Sequence, residues 1–184
     1  MDRRIARTIA SIYRGFGQCL QEKDFREISI EDILVKANVS RSTFYAHFKT
    51  KDDVLDSLLK NIFHHVFSHS LEVEATHDFS KDSILEYSHL FTHVLYHLQD
   101  EGELIKVILQ SSCASRFLAA LKEEITPLVS RCVKEGVFPK KEIPEELRIS
   151  SGAESFLTVV TYWFNGNQKQ TPSEIVSYYM ALNE

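Results

Sequence analysis

The stretch that decides the fold is Ser29-Ile-Glu-Asp-Ile-Leu-Val-Lys-Ala-Asn-Val-Ser-Arg-Ser-Thr-Phe-Tyr-Ala-His-Phe-Lys-Thr-Lys51. Ser29 can cap a helix whose apolar residues recur at helical spacing. Asn38 follows that helix, and Asn tolerates the left-handed backbone that a sharp turn requires. Ser40 can cap a second helix directly after the turn. The stretch therefore predicts two short helices joined by a tight turn.

Polar side chains dominate the exposed side of the second helix. Phe44 and Phe48 lie four residues apart and can pack inward, so most of their neighbours point outward. Two short helices crossed around a small apolar core, with polar donors on the second, are typical of a helix-turn-helix that enters a DNA groove. The candidate DNA contacts are Ser29, Ser40, Arg41, Ser42, Thr43, Tyr45, His47, Lys49 and Lys51.

The segment Val39-Ser-Arg-Ser-Thr-Phe-Tyr-Ala-His-Phe-Lys-Thr-Lys-Asp-Asp-Val-Leu55 resembles the signature of the TetR family of bacterial transcriptional regulators. The resemblance covers roughly residues 3–60. Two positions depart from the family pattern: Asn38 stands where Gly is usual, and Ala46 where many members carry a larger or basic residue. The resemblance implies base contacts from Arg41 and the two residues after it. It also implies phosphate contacts from Tyr45, His47, Lys49 and Lys51, and Ser29 would lie near a phosphate at the N-terminus of the second helix.

Composition and periodicity predict an all-α protein of about nine helices. The 184 residues are 43% hydrophobic and include only 6 Gly and 4 Pro, which disfavours a turn-rich β fold. Hardly any stretch alternates with a period of two residues. We expect a three-helix DNA-binding head over residues 1–50 and a helical regulatory and dimerisation domain over residues 51–184. A loop over residues 73–80, a fifth helix starting near Lys81 and a break or kink near Pro127 are also expected.

Charge is divided unevenly along the chain. The net charge is −5, which by itself is unusual for a DNA-binding protein. Residues 1–51, however, hold ten basic and six acidic residues, and the remainder holds eleven basic and twenty acidic residues. A basic end on an acidic body orients a protein towards a polyanion. Ordinary fluctuation in surface charge is the alternative explanation, and the helix-turn-helix pattern favours DNA.

The last two long helices are apolar on more than one face, so each must be buried on more than one side. A second subunit would provide that cover, and pairing through the two C-terminal helices is also what the resemblance implies. The alternative is that these helices form the core of a monomer. The candidate dimer-interface residues are Gly152, Phe156, Val160, Ile175 and Tyr179.

Histidines recur every four residues along the predicted fifth helix. His pairs at this spacing can bind a metal ion, but a site needs a third ligand, and no HExxH motif is present. We therefore expect no metal, no cofactor and no catalysis, with polar residues edging a helix as the simpler interpretation. If the body encloses a ligand cavity, as the resemblance implies, its candidate lining residues are His93, His97, Phe117, Tyr162 and Trp163.

These observations predict a cytoplasmic, homodimeric regulator, a repressor, that binds a pseudo-palindromic site in double-stranded DNA and can be released by a small-molecule effector. No apolar run is long enough to span a bilayer, so no membrane association is expected. Two alternatives remain open. One is a TetR-like coactivator or adaptor whose body binds a protein partner, and the other is an all-α histidine–metal enzyme.

Overall fold

The structure, a computed structural model, describes residues 3–68 and 87–184, apart from the side chains of residues 65 and 68. Within these ranges it contains nine α-helices, one 3₁₀ turn (Phe25–Glu27) and no strand. The helices are α1 (Arg3–Glu22), α2 (Ile30–Ala37), α3 (Arg41–Tyr45), α4 (Lys51–Ser68), α5 (Tyr87–Asp100), α6 (Gly102–Leu109), α7 (Ala114–Lys134), α8 (Glu145–Asn165) and α9 (Pro172–Leu182). The predicted all-α class is confirmed.

Most predicted helices are found within a residue or two of their expected ends. The predicted loop over residues 73–80 and the first residues of the predicted fifth helix lie outside the described residues. The predicted interruption near Pro127 is wrong, because α7 runs unbroken through this residue. Proline removes one helical N–H donor. Here Glu123, whose carbonyl would accept that bond, is exposed, so water can satisfy the carbonyl.

Helices α1 and α2 pack closely in the head. Ile12, Phe16, Ile33 and Phe44 are fully buried there. The approach is so close that a Cβ atom on Gly15 would lie 2.6 Å from the backbone nitrogen of Ala37. Glycine is therefore required at this point of α1, since any side chain would push apart the helices that position the turn.

Polar contacts join the head to the body and, within the body, join α4 to α7. The Ser112 hydroxyl and backbone N–H donate to the Asp24 carboxylate at 2.7 Å and 2.9 Å. The Arg116 guanidinium on α7 pairs at 2.5 Å with each of Asp52 and Asp56 on α4. The hydrogen bond from Ser112 is the main reason why the pKa of Asp24 lies well below its usual value. The position of the head is thus coupled to α4 and to the start of α7.

The body is built around an aromatic cluster between α5, α8 and α9. The Tyr179 ring lies 4.6 Å from the Phe91 ring and 5.3 Å from the Phe156 ring, centroid to centroid. All three side chains are fully buried within the single chain. Such edge-on aromatic contacts contribute to packing beyond the area that they bury. Much of the apolar surface of the C-terminal helices is therefore covered within the monomer core.

The predicted dimer-interface residues are wrong as interface residues. Phe156, Val160, Ile175 and Tyr179 have no exposed surface in one chain, so a second subunit cannot reach them. Gly152 is buried as well, because a Cβ atom there would lie 2.7 Å from Val129 Cγ1 across the contact between α7 and α8. The small residue serves packing within the chain.

Of the five predicted pocket residues, one is exposed and four are buried. Tyr162 is 53% exposed on the outer face of α8, so its prediction as a wall of an internal pocket is wrong. Phe117 and Trp163 are fully buried, and the indole N–H of Trp163 donates to the Gln170 carbonyl at 2.8 Å. The remaining two predicted residues, His93 and His97, are buried and face each other with their Nε2 atoms 3.1 Å apart.

Candidate nucleic-acid interface

The N-terminus of α2 is fixed by a complete capping box. The Ser29 hydroxyl accepts the Asp32 N–H at 3.1 Å, and the Asp32 carboxylate accepts the Ser29 N–H at 2.9 Å. Lys23 donates to the same carboxylate at 2.7 Å, and this bond is the leading cause of the strongly lowered pKa of Asp32. The charged carboxylate is favoured both by these donors and by the helix dipole. Ser29 therefore has a structural function, and its hydroxyl remains at the exposed surface.

Asn38 makes the turn between α2 and α3. Its backbone is left-handed, with φ 52° and ψ 49°. The Asn38 N–H donates to the Val35 carbonyl at 3.3 Å, and the Val39 N–H to the Leu34 carbonyl at 3.2 Å. This is the hydrogen-bond pattern with which helices commonly end on glycine. Asn38 meets the same backbone requirement, so the departure from the family pattern leaves the turn intact.

Three hydroxyl groups cluster at the start of α3. Ser40 Oγ accepts the Thr43 N–H at 3.1 Å and lies 3.0 Å from Ser42 Oγ and 2.7 Å from Thr43 Oγ1. Ser40 and Ser42 are exposed, and Thr43 is half-buried. Because a hydroxyl can donate or accept, this cluster can hydrogen-bond base edges or phosphate oxygens.

Arg41 is held by an acidic residue on the neighbouring helix. Its Nη2 atom lies 2.5 Å from Glu31 Oε2, and both side chains are more than 60% exposed. An exposed ion pair of this kind is weak, so another acceptor can replace Glu31. A guanine edge, which presents two acceptors to the fork of a guanidinium, is such an acceptor. Sequence reasoning missed this pairing, because the two residues lie ten positions apart across a turn.

The second half of the helix-turn-helix surface is aromatic and basic. Tyr45 is 47% exposed, and its ring lies edge-on against the buried Phe44 ring with the centroids 5.5 Å apart. His47 is half-buried, and Lys49 is exposed. The N-terminus of α4 is capped, since Asp53 accepts the N–H groups of Lys49 and Thr50 at 2.9 Å and donates its own N–H to the Thr50 hydroxyl at 3.1 Å. These side chains lie at the end of α3 and directly after it, where the backbone of a bound duplex would pass.

The Lys51 side chain, predicted to contact a DNA phosphate, instead binds backbone carbonyls of the head. Its ammonium group donates to the carbonyls of Phe25, Arg26 and Ile28 at 2.7–3.1 Å and lies 4.8 Å from the centroid of the Phe25 ring. All three donors of the ammonium group are therefore engaged in holding the connection between α1 and α2. The prediction of a phosphate contact by the Lys51 side chain is corrected accordingly. Its backbone N–H, in the first turn of α4, is the group that can still meet a phosphate.

The basic surplus of the head is smaller at the surface than in the sequence. Four of its basic side chains, Lys23, Arg26, Lys36 and Arg41, already pair with carboxylates. The Nζ atom of Lys36, for example, lies 2.5 Å from Glu22 Oε1. The positive charge offered to DNA is thus concentrated near Lys49 and on Arg3 and Arg7 at the start of α1, with Arg41 available after exchange of its partner.

Two family models together cover most of the chain. A model described as "Bacterial regulatory proteins, tetR family" matches residues 12–58, and one described as "Transcriptional regulator C-terminal region" matches residues 86–183. A solved TetR transcriptional regulator from Streptococcus agalactiae 2603V is 30% identical, with a TM-score of 0.78, and the match covers 100% of this chain and 97% of that one. The chain belongs to the TetR family. Residues 29–51 thus form the helix-turn-helix of a TetR family transcriptional regulator.

Three other proteins are similar to this chain, two of them in fold alone. The uncharacterized HTH-type transcriptional regulator YxbF of Bacillus subtilis (strain 168) is 32% identical over 81 residues, which are 44% of this chain and 21% of that protein. The dihydroxyacetone kinase operon activator DhaS shares the TetR fold with a TM-score of 0.63 at 15% identity, covering 95% of this chain and 93% of that one. A TetR-family structure from Syntrophomonas wolfei str. Goettingen has a TM-score of 0.63 at 20% identity, covering 96% of this chain and 92% of that one.

Two further features of this TetR family member bear on the alternatives. Among the described residues, no group of three or more His, Cys, Asp or Glu side chains is arranged to hold a metal ion. Within the same ranges, no helix combines the length and the apolar character needed to cross a bilayer. The buried His93–His97 pair is therefore not part of a three-ligand metal site built from this portion of the chain.

Proposed function

We propose that this TetR family regulator binds double-stranded DNA as a homodimer through residues 1–50, while residues 51–184 form the regulatory and dimerisation domain. The observation that carries the proposal is the surface of α3. Its buried side, Phe44, is fixed in the core of the head, and its N-terminal turn presents Arg41, Ser42 and Thr43 together. A helix held rigidly by its neighbours, with donors grouped at its start, is suited to reading base edges.

The contacts divide into two kinds. Arg41, Ser42 and Thr43 contact base edges, and Arg41 recognises a guanine after leaving Glu31. Ser29, Ser40, Tyr45, His47 and Lys49 contact phosphates, which set the position of the head on the duplex.

The dimer forms through the outer faces of α8 and α9 rather than through the residues expected from the sequence. Tyr162 and Tyr178, 53% and 43% exposed, contact each other with ring centroids 6.5 Å apart. Leu182 on α9 and Leu147 on α8 are more than half exposed. Large exposed apolar side chains on adjacent helices are typical of an association surface, and one self-complementary face gives a two-fold dimer.

A single aromatic position tests this dimer. Tyr178→Glu places charges opposite one another across a two-fold interface, and we expect sedimentation equilibrium to show a monomer with unchanged helix content. Tyr45→Glu, a matched change on the head, should leave the dimer intact. A Tyr178→Glu protein that remains dimeric would exclude this surface.

Two copies would place their α3 helices in successive major grooves and read half-sites about one DNA turn apart or somewhat more. Binding over a promoter would block transcription, so the protein would act as a repressor in the cytoplasm, and an effector would lower its affinity for DNA. The differential affinity required is modest, about 1–3 kcal/mol in typical allosteric systems.

A coactivator is the second candidate. The structural neighbour DhaS is named an operon activator, and one side chain expected in a ligand pocket, Tyr162, is instead 53% exposed on the outer face of α8. In that case the body would bind a protein partner rather than a small molecule.

Selection of genomic fragments with the purified protein at about 150 mM salt, where nonspecific phosphate binding is weakened, separates the two candidates. Enrichment of one palindromic sequence supports the regulator that binds DNA on its own. The absence of enrichment with wild type would contradict it and favour the coactivator.

A further inference from the structure

An open cleft lies where the head meets the body. It has a volume of about 550 Å³, which is within the range of small-molecule sites. One wall is α1 and the adjoining part of α4; the other is the junction of α5 and α6, and Gln168 from the turn before α9 completes the lining. We call this space the junction cleft and define it by Gln18, Asn61, Gln99 and Glu103.

The lining of the junction cleft is polar around an apolar base. The base includes Leu58 and Ile62, which are almost fully buried. Above it, the side-chain amides of Gln18, Asn61 and Gln99 make no hydrogen bond to other described residues, so their donors and acceptors are open to a ligand. An apolar base with several hydrogen-bonding groups above it suits a small hydroxylated or amine-bearing molecule.

Charge narrows the ligand class. Asp100, Glu101 and Glu103 are among the residues that line the junction cleft, and Arg14 is the basic residue of that lining. The N-terminus of α6 adds about half a positive charge, which does not balance the surplus of two negative charges. Anionic ligands are therefore disfavoured, and a ligand with an ammonium group beside hydroxyls or further amines is favoured.

The location of the junction cleft connects ligand binding to DNA binding. Helices α1 and α6 approach each other at its base, since a Cβ atom on Gly17 would lie 3.3 Å from Leu104 Cδ1. Two residues earlier, Gly15 of α1 touches Ala37 at the end of α2, directly before the turn into α3. A ligand that contacts α1 and α6 together favours one spacing between them, and α1 passes that change to α2.

We propose that the junction cleft is an effector site for small hydroxylated or polyamine cations, and that its occupation changes the affinity of the head for DNA. The regulatory part rests on the DNA-binding function proposed above, whereas binding of the cation does not.

Titration calorimetry without DNA tests the site with matched hexose derivatives. Glucosamine, glucose and gluconate are similar in size and hydroxyl content but carry positive, zero and negative charge, and spermidine supplies a second cation. We expect saturable binding of glucosamine or spermidine, about two- to fivefold tighter than that of glucose, and no binding of gluconate. The absence of saturable binding of both cations, or equal binding of glucosamine and gluconate, would overturn the proposal.

Variants then locate the binding. Glu103→Gln should weaken binding of the cation about two- to fivefold, and Gln18→Trp should block binding by filling the junction cleft from an exposed position on α1. Glu123→Gln removes the same charge from the exposed side of α7 and should bind like wild type. Unchanged binding by both Glu103→Gln and Gln18→Trp would place the cation elsewhere and refute this site.

The coupling is measured by titrating a selected DNA fragment with and without saturating cation at constant ionic strength. We expect the DNA affinity of wild type to change at least about fivefold, and that of Gln18→Trp to remain constant. An unchanged wild-type affinity would refute the regulatory part alone. A protein that binds the cation but selects no DNA sequence would contradict the proposed function and leave the binding site standing.

Discussion

Replacement of Glu31 by Gln should strengthen specific DNA binding. In the free protein Glu31 holds Arg41 at 2.5 Å, and both side chains are more than 60% exposed. If Arg41 reads a guanine, this pair must break when the head docks. Glu31→Gln removes that cost and also removes a negative charge close to the DNA phosphates.

The magnitude follows from the exposure of the pair. Exposed ion pairs contribute about 0.2–1 kcal/mol each. A dimer breaks two of them, so the gain in binding free energy should be about 0.4–2 kcal/mol, or about 2- to 30-fold in affinity. Arg41→Ala should act in the opposite direction and weaken binding by about 1–3 kcal/mol for each guanine that Arg41 recognises.

Fluorescence anisotropy on the selected fragment, at constant salt, measures both changes and the double variant. In the Arg41→Ala background, Glu31→Gln should have only a small effect, because no pair is left to break. The effect that remains comes from removing the negative charge of Glu31 near the phosphates, and it should also increase the affinity for unrelated DNA. An equal gain from Glu31→Gln with and without Arg41, or a weaker affinity in the wild-type background, would refute the exchange of partners at Arg41.

Three further outcomes follow from the structure. Gly15→Ala should lower the free energy of unfolding by about 1–3 kcal/mol through overpacking, whereas Gly17→Ala, which meets only the end of a flexible side chain, should not; equal effects in urea unfolding would contradict the close contact. Burial raises the pKa of the Cys132 thiol to about 12, so this thiol should not react with a disulfide reagent at pH 8 until the protein unfolds. Labelling of Cys132 in the native protein would contradict its burial. The pKa of Asp24 is lower in the folded state than in the unfolded state, so its charged carboxylate stabilises the fold above about pH 4, and this stabilisation is lost as the pH falls. Asp24→Asn should therefore make the free energy of unfolding less dependent on pH below about pH 4. An unchanged pH dependence would exclude this contribution.

Local signals made the head predictable. Capping residues act within one turn of helix, so Ser29 and Ser40 could be assigned from their immediate neighbours. Asn38 could be assigned for the same reason, because its left-handed backbone is a local requirement. The ion pair of Arg41 and the carbonyl contacts of Lys51 could not be predicted, since each joins residues that only the folded turn brings together.

The body was less predictable, because apolar content does not say what covers a helix. Phe156 and Tyr179 were expected at a subunit interface, yet both are buried within one chain, in the aromatic cluster between α5, α8 and α9. Periodicity places such residues on a face but does not identify the partner of that face. The exposed position of Tyr162 depended likewise on how α8 is rotated against α7 and α9, which no local signal fixes.

The most direct test of the central claim is a methylation-interference footprint of the selected DNA fragment with wild type and Arg41→Ala. If two copies place α3 in successive major grooves, methylation of guanine N7 should block wild-type binding at two positions related by two-fold symmetry, and Arg41→Ala should be insensitive to methylation at both. A footprint without paired positions, or one that Arg41→Ala leaves unchanged, would contradict the account of α3 as the reading helix of a DNA-bound dimer.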